Sequence, residues 1–143
     1  MNNLDDDRLS SSYWALRATY GLVPLLAGLD KFLDLLTSWK HYLSPAFARL
    51  IPLSPGAFMR VVGVVEIVAG LLVLLNWTRV GAYVVMAWLI CIAINLVTMR
   101  LYDVAMRDLA MAVGAFALAR LEEVRAGSPA RAPARLATTA SRA

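Results

Sequence analysis

A single carboxylate, Glu66, interrupts the apolar run Val61-Val62-Gly63-Val64-Val65-Glu66-Ile67-Val68-Ala69-Gly70-Leu71-Leu72-Val73-Leu74-Leu75. The run is long enough to cross a bilayer, where a charge facing acyl chains is costly. Glu66 must therefore face protein, an opposite charge or a wet cavity. In such a place a carboxylate can exchange protons, hold the polar end of a ligand, or pin one helix to another. Lys31 and Arg107 offer the opposite charge, and Asn95 and Asp108 offer further polar groups at the same end of their helices. Asp30, Asp34, Trp88 and Arg17 form a secondary set. The carboxylates Asp30, Asp34, Glu66 and Asp108 outnumber Lys31 and Arg107, which leaves room for one protonated carboxyl, a condition suited to proton exchange.

Four apolar segments have to position these groups. They run from about Tyr13 to Leu36, from Pro55 to Trp77, from about Arg79 to Met99 and from Val104 to Leu121. Each is near the roughly 20 residues a helix needs to cross hydrocarbon. The fourth is interrupted by Arg107 and Asp108, so an interfacial or re-entrant helix is its alternative. Ser54 and Pro55 suit the cap and first position of the second helix. Ser44-Pro45 opens a shorter stretch, Ala46 to Ile51, which is too short to span and is expected along the membrane surface, with Trp39 and Tyr42 at headgroup level. The expected fold is thus all-α: a transmembrane four-helix bundle with a short interfacial helix between the first two spans. Residues 1–12 form a cytoplasmic N-terminal segment, 13–121 the membrane domain, and 122–143 a basic tail expected to be disordered.

Helical spacing puts small and polar residues on shared stripes. Arg17, Gly21, Pro24, Gly28, Lys31 and Asp34 recur at three- and four-residue steps, as do Met59, Gly63, Glu66 and Gly70. Gly81, Trp88, Cys91 and Asn95 align on the third helix, and Arg107, Met111 and Gly114 on the fourth, with Asp108 alongside. Such stripes face other helices in a membrane. Glu66 lies about 12–16 Å into its helix at about 1.5 Å per residue, so Lys31, Glu66, Asn95, Arg107 and Asp108 are expected to meet in the outer half of the bundle.

Composition narrows the function. The 143 residues are 60% hydrophobic, well above a soluble domain. The net charge of +4 reflects Arg120, Arg125, Arg131, Arg135 and Arg142 at or beyond the last apolar segment, a pattern of anionic-lipid contact rather than nucleic-acid binding. Counting Lys and Arg on the two sides puts both termini of a multi-pass membrane protein in the cytoplasm, with its first apolar segment retained as a membrane helix. Cys91 is the only cysteine, read as an inert buried thiol, and excludes dithiol chemistry. His41 stands alone, and the methionines read as packing residues, so no metal site is expected.

Arg17-x3-Gly21 with Gly28-Leu29-Asp30-Lys31-Phe32, then Gly63-Val64-Val65-Glu66-Ile67-Val68-Ala69-Gly70, then Arg107-Asp108, together resemble the DoxX-like family of small four-helix bacterial membrane proteins. The resemblance covers roughly Tyr13 to Leu121. It implies that Lys31, Glu66, Arg107 and Asp108 form the polar centre of the bundle. The family takes its name from a subunit of an archaeal thiosulfate:quinone oxidoreductase, so the resemblance also implies a link to quinone reduction. The chain has no residues for an iron–sulfur cluster or flavin fingerprint, and no covalently bound cofactor is expected. Two readings follow. In the first, the chain is a redox-associated subunit, handling quinone or anchoring a redox protein partner. In the second it is a non-catalytic membrane scaffold or assembly protein, and the charged cluster only fixes helix packing. Both have the lipid bilayer as partner, and both leave a homo-oligomer open.

Overall fold

The computed structural model describes residues 3–127, which form α1 (Asn3–Leu33), a 3-10 turn (Trp39–Tyr42), α2 (Pro45–Leu50), α3 (Pro55–Leu74), α4 (Thr78–Thr98) and α5 (Tyr102–Gly127). The described residues are therefore all-helical in their regular structure. Of the tail expected to be disordered, 122–127 continue α5 as helix; 128–143, with Arg131, Arg135 and Arg142, lie outside the described residues.

Local chemistry sets the helix ends. Ser54 Oγ accepts from the Ala57 N–H at 3.3 Å and Pro55 occupies the first turn of α3. Ser44 Oγ caps α2 in the same way, through the Ala46 N–H at 3.2 Å. α1 stops at Leu33 rather than running to Leu36. Asp34 takes a left-handed φ of 52° and its N–H bonds the Asp30 carbonyl at 2.7 Å. The Asp30 carboxylate then accepts the Leu35 and Leu36 N–H groups at 3.0 and 3.1 Å, so the next backbone donors are spent on a side chain instead of on another helical turn. α4 ends in a Schellman motif. Arg100 has φ 61°, the Leu101 N–H bonds the Leu96 carbonyl, and the Arg100 N–H bonds that of Val97, both at 3.0 Å.

Two helix pairs make up the bundle: α1 packs on α3, and α4 on α5, joined chiefly through α3 and α4. The first pair is an antiparallel backbone contact. A Cβ on Gly28 would lie 2.6 Å from the Gly63 carbonyl oxygen, and one on Gly63 would lie 2.7 Å from that of Gly28. Gly70 meets the Gly21 carbonyl in the same way two helical turns along. Only glycine permits that approach. The core falls into two clusters. The larger, around Tyr13, Val73, Val85, Ala115 and Leu118, fills one end; the smaller, of Ala93, Leu96 and Ala105, lies toward the other.

Much of the outer surface is apolar. Leu26 on α1, Val64 on α3, Ile94 on α4 and Val113 on α5 are each more than half exposed. Monomeric soluble proteins rarely display so continuous an apolar surface. By length and composition two helices, Pro55–Leu74 and Thr78–Thr98, are apolar enough to cross a membrane. α1 carries Arg17 near its middle and Asp30 and Lys31 at its end, and α5 carries Arg107, Asp108 and Arg120, so neither is as uniformly apolar.

Candidate functional site

The central contact joins two helices. Lys31 Nζ, from the last turn of α1, lies 2.6 Å from Glu66 Oε2 on α3, with side chains only 4% and 7% exposed. The Trp88 indole N–H of α4 donates to the other Glu66 oxygen, Oε1, at 3.4 Å. Both carboxylate oxygens therefore have donors. The Lys31 ammonium also lies 3.7 Å from the centroid of the Trp39 ring. Trp39 is fixed in turn, because its indole N–H donates to Asp30 Oδ2 at 2.7 Å. A continuous relay, Asp30–Trp39–Lys31–Glu66–Trp88, thus ties α1, the segment after it, α3 and α4 together. A lone buried charge would be unstable here, and the partners offset its desolvation.

Next to this relay is a cavity of about 510 Å³ between the two helix pairs. Val62, Leu89, Phe47 and Phe58 give it apolar walls, and Lys31, Glu66, Trp88 and Asp108 face it. Asn95 borders it and clamps the connecting segment. Its amide oxygen accepts the Ser44 N–H at 3.1 Å, and its amide nitrogen donates to the Tyr42 carbonyl at 2.6 Å. Thr98 adds a bond from its hydroxyl to Ser44 Oγ at 2.8 Å. The segment 37–47 therefore closes one end of the cavity, held to α1 by Asp30 and to α4 by Asn95.

Four expectations are corrected. Arg107 does not join the cluster: it pairs with Asp103 at 3.6 Å, with both side chains more than 70% exposed. The inward stripe of α5 passes through Val104, Asp108 and Met111, and one residue's step turns Arg107 about 100° away. Asp34 lies past the end of α1 and is exposed, so it leaves the stripe it was expected to share with Lys31. Arg17 is at the opposite end of the bundle. It donates to the carbonyls of Val73, Leu74 and Leu75 at 3.1, 2.9 and 2.7 Å and so caps the C-terminus of α3. Cys91 is exposed rather than buried, at the cavity's edge.

Other contacts were not anticipated. Trp39, read as a headgroup anchor, belongs to the relay. At the Arg17 end, Glu123 accepts from Tyr83 at 3.0 Å, lies 3.1 Å from Arg79, and pairs with Arg120. The three-residue spacing of Arg120 and Glu123 was a usable signal. The Ser44–Asn95–Thr98 clamp has none, because it joins residues far apart in sequence. Among the described residues, no group of His, Cys, Asp and Glu side chains is arranged to hold a metal ion.

A helical bundle with an apolar exterior, a backbone-to-backbone glycine seam and a buried Lys–Glu pair beside a cavity belongs to the class of membrane-associated helical proteins. More specifically, a profile of the DoxX family matches residues 13–99, and the chain belongs to that membrane-associated family. The match takes in α1 through α4, with Lys31 and Glu66, and ends before Arg107 and Asp108. Neither a curated protein nor a solved structure matches the chain.

Proposed function

We propose that the chain is a four-span protein of the bacterial inner membrane, with both termini cytoplasmic, whose cavity holds the ring of a lipid-soluble quinone. In this role it serves as a quinone-handling or anchoring subunit beside a redox protein partner. One observation carries the reading: an apolar cavity of about 510 Å³ has a buried ammonium–carboxylate pair in its wall. That volume falls in the range of small-molecule sites, whose walls are mostly apolar with a few placed polar groups. Trp88 and Phe58 supply flat faces for a ring, and the apolar walls at Val62, Leu89 and Phe47 suit the start of an isoprenoid tail. Glu66 exchanges protons with the bound ring, and Lys31 stabilises negative charge developing on its oxygen.

Several features support the membrane arrangement. At about 1.5 Å per residue, α3 is roughly 30 Å long, the thickness of the hydrocarbon core. α1 and α5 are longer, and their exposed middle residues, such as Leu26 and Val113, are apolar. Trp14 and Trp77 are exposed at one end of the bundle and Tyr42 and Tyr102 at the other, as interfacial aromatics require. The Arg79–Arg120–Glu123 cluster is at the end assigned to the cytoplasm.

The test is binding by the purified full chain in lipid nanodiscs. A short-chain quinone should quench the emission of Trp88 saturably, and Glu66→Gln should weaken that binding at least tenfold. Quenching that never saturates, with no quinone in the lipid extract of the purified protein, would sink the reading. The scaffold reading keeps one observation in its favour, since Lys31 and Glu66 already have protein partners. It gains if Glu66→Gln lowers stability while leaving every binding signal unchanged.

A further inference from the structure

This inference rests on the cavity being a ring site and concerns which chemical form of ring it takes. The fixed donors around the cavity are already engaged. The Trp88 N–H is on Glu66, the Trp39 N–H on Asp30, and the Asn95 amide on the Tyr42 carbonyl. The Lys31 ammonium is directed at Glu66 and at the face of Trp39.

What remains open is acceptor capacity. Asp108 faces the cavity from α5 and is only partly buried; its carboxylate makes no ion pair or hydrogen bond among the described residues. Its neighbour Arg107 points outward to Asp103. Arg107, its chain neighbour, and Glu66 both act on Asp108 electrostatically, so the cavity wall has two carboxyl groups and one ammonium, with a guanidinium just outside it. Pro24, inside α1, has no N–H to give the Tyr20 carbonyl, and both residues line the cavity. The hydroxyls of Tyr20 and Thr37 can act either way.

We infer that the site selects a ligand that donates a hydrogen bond, a lipid-soluble phenol or hydroquinone, over an acceptor-only carbonyl ring, and that Asp108 is the residue that makes the selection. A carboxylate oxygen that no protein donor reaches, set in a largely apolar wall, gains from a hydroxyl and gains nothing from a carbonyl oxygen. A site with an unpaired acceptor disfavours the analogue that lacks the donor. The reduced carrier therefore binds more tightly than the oxidised one.

The experiment titrates the full chain in nanodiscs, by calorimetry under argon, with three probes: a decyl hydroquinone, its dimethyl ether and the matching oxidised quinone. The hydroquinone should bind roughly tenfold or more tightly than the other two, the worth of one hydrogen bond to a charged group. Asp108→Leu should bring the hydroquinone down to the affinity of its ether while leaving the ether's own affinity unchanged, a pattern that misfolding does not produce. Asp108→Asn, which keeps one acceptor oxygen, should fall between. Equal affinity for all three probes overturns the selection but leaves the ring site standing. Preference for the oxidised quinone overturns it too, and assigns Asp108 a proton that it donates. Failure of all three to bind removes the ring site and this inference together.

Discussion

Glu66 and Lys31 form the contact whose loss should be felt most. Glu66→Gln leaves a buried ammonium facing a neutral amide, and breaking a buried pair from one side costs on the order of 3 kcal/mol. Replacing both, with Lys31→Met and Glu66→Leu, removes the stranded charge, so the double variant should be more stable than the sum of the singles by about 1–3 kcal/mol. Thermal or denaturant unfolding in detergent measures this, and additive singles would show that the pair is not coupled. Arg107→Ala, by contrast, should change stability by no more than about 0.5 kcal/mol, because its pair with Asp103 is solvent- or headgroup-exposed. The difference between these two cations shows what was legible. Lys31 and Glu66 were readable because a charge inside an apolar helix must find a partner, and each helix offers few. Arg107 was misread because adjacent residues on α5 point about 100° apart, and sequence pattern could not tell whether Arg107 or Asp108 faced inward.

Helix ends and helix contacts follow different rules, and the sequence exposes them unequally. Ser44-Pro45 and Ser54-Pro55 mark their helix starts openly, since capping is local chemistry. The end of α1 was hidden. It depends on the Asp30 carboxylate turning back onto Leu35 and Leu36, a choice that an apolar Leu-Leu pair does not announce. The Gly28–Gly63 crossing was half visible: both glycines lay on stripes, but their pairing is a matter of depth. Gly63→Leu should separate α1 from α3, since even a Cβ would collide with the Gly28 carbonyl. Overpacking of this kind costs about 1–3 kcal/mol or more, and the full chain should lose its cooperative unfolding transition; a variant as stable as the parent would disprove the seam. Asn95→Leu should loosen the segment 37–47 without unfolding the bundle. Hydrogen exchange at Ser44 and its neighbours should then quicken by at least tenfold, while α3 stays protected.

At the scale of the molecule, the proposed topology, with both termini cytoplasmic, predicts where reagents reach. A reporter fused to either terminus should be active only as a cytoplasmic fusion. In a Cys91→Ser background, Lys40→Cys should react with a membrane-impermeant maleimide from outside the cell. Native Cys91, exposed on an apolar wall, should react with a lipid-soluble maleimide and resist the impermeant one. Labelling of Lys40→Cys only after lysis would invert the topology. One consequence concerns how such a chain is made. In the proposed four-span arrangement Lys31 precedes Glu66 by 35 residues, so α1 would enter the membrane before its neutralising carboxylate has left the ribosome. Until α3 emerges, the lysine must be sheltered at the insertion machinery or held at the lipid surface. The glycine seam then lets the incoming helix dock against the waiting one at backbone distance. Insertion of α1 is thereby coupled to synthesis of α3, and a nascent chain halted short of Glu66 is the form that quality-control proteases should recognise.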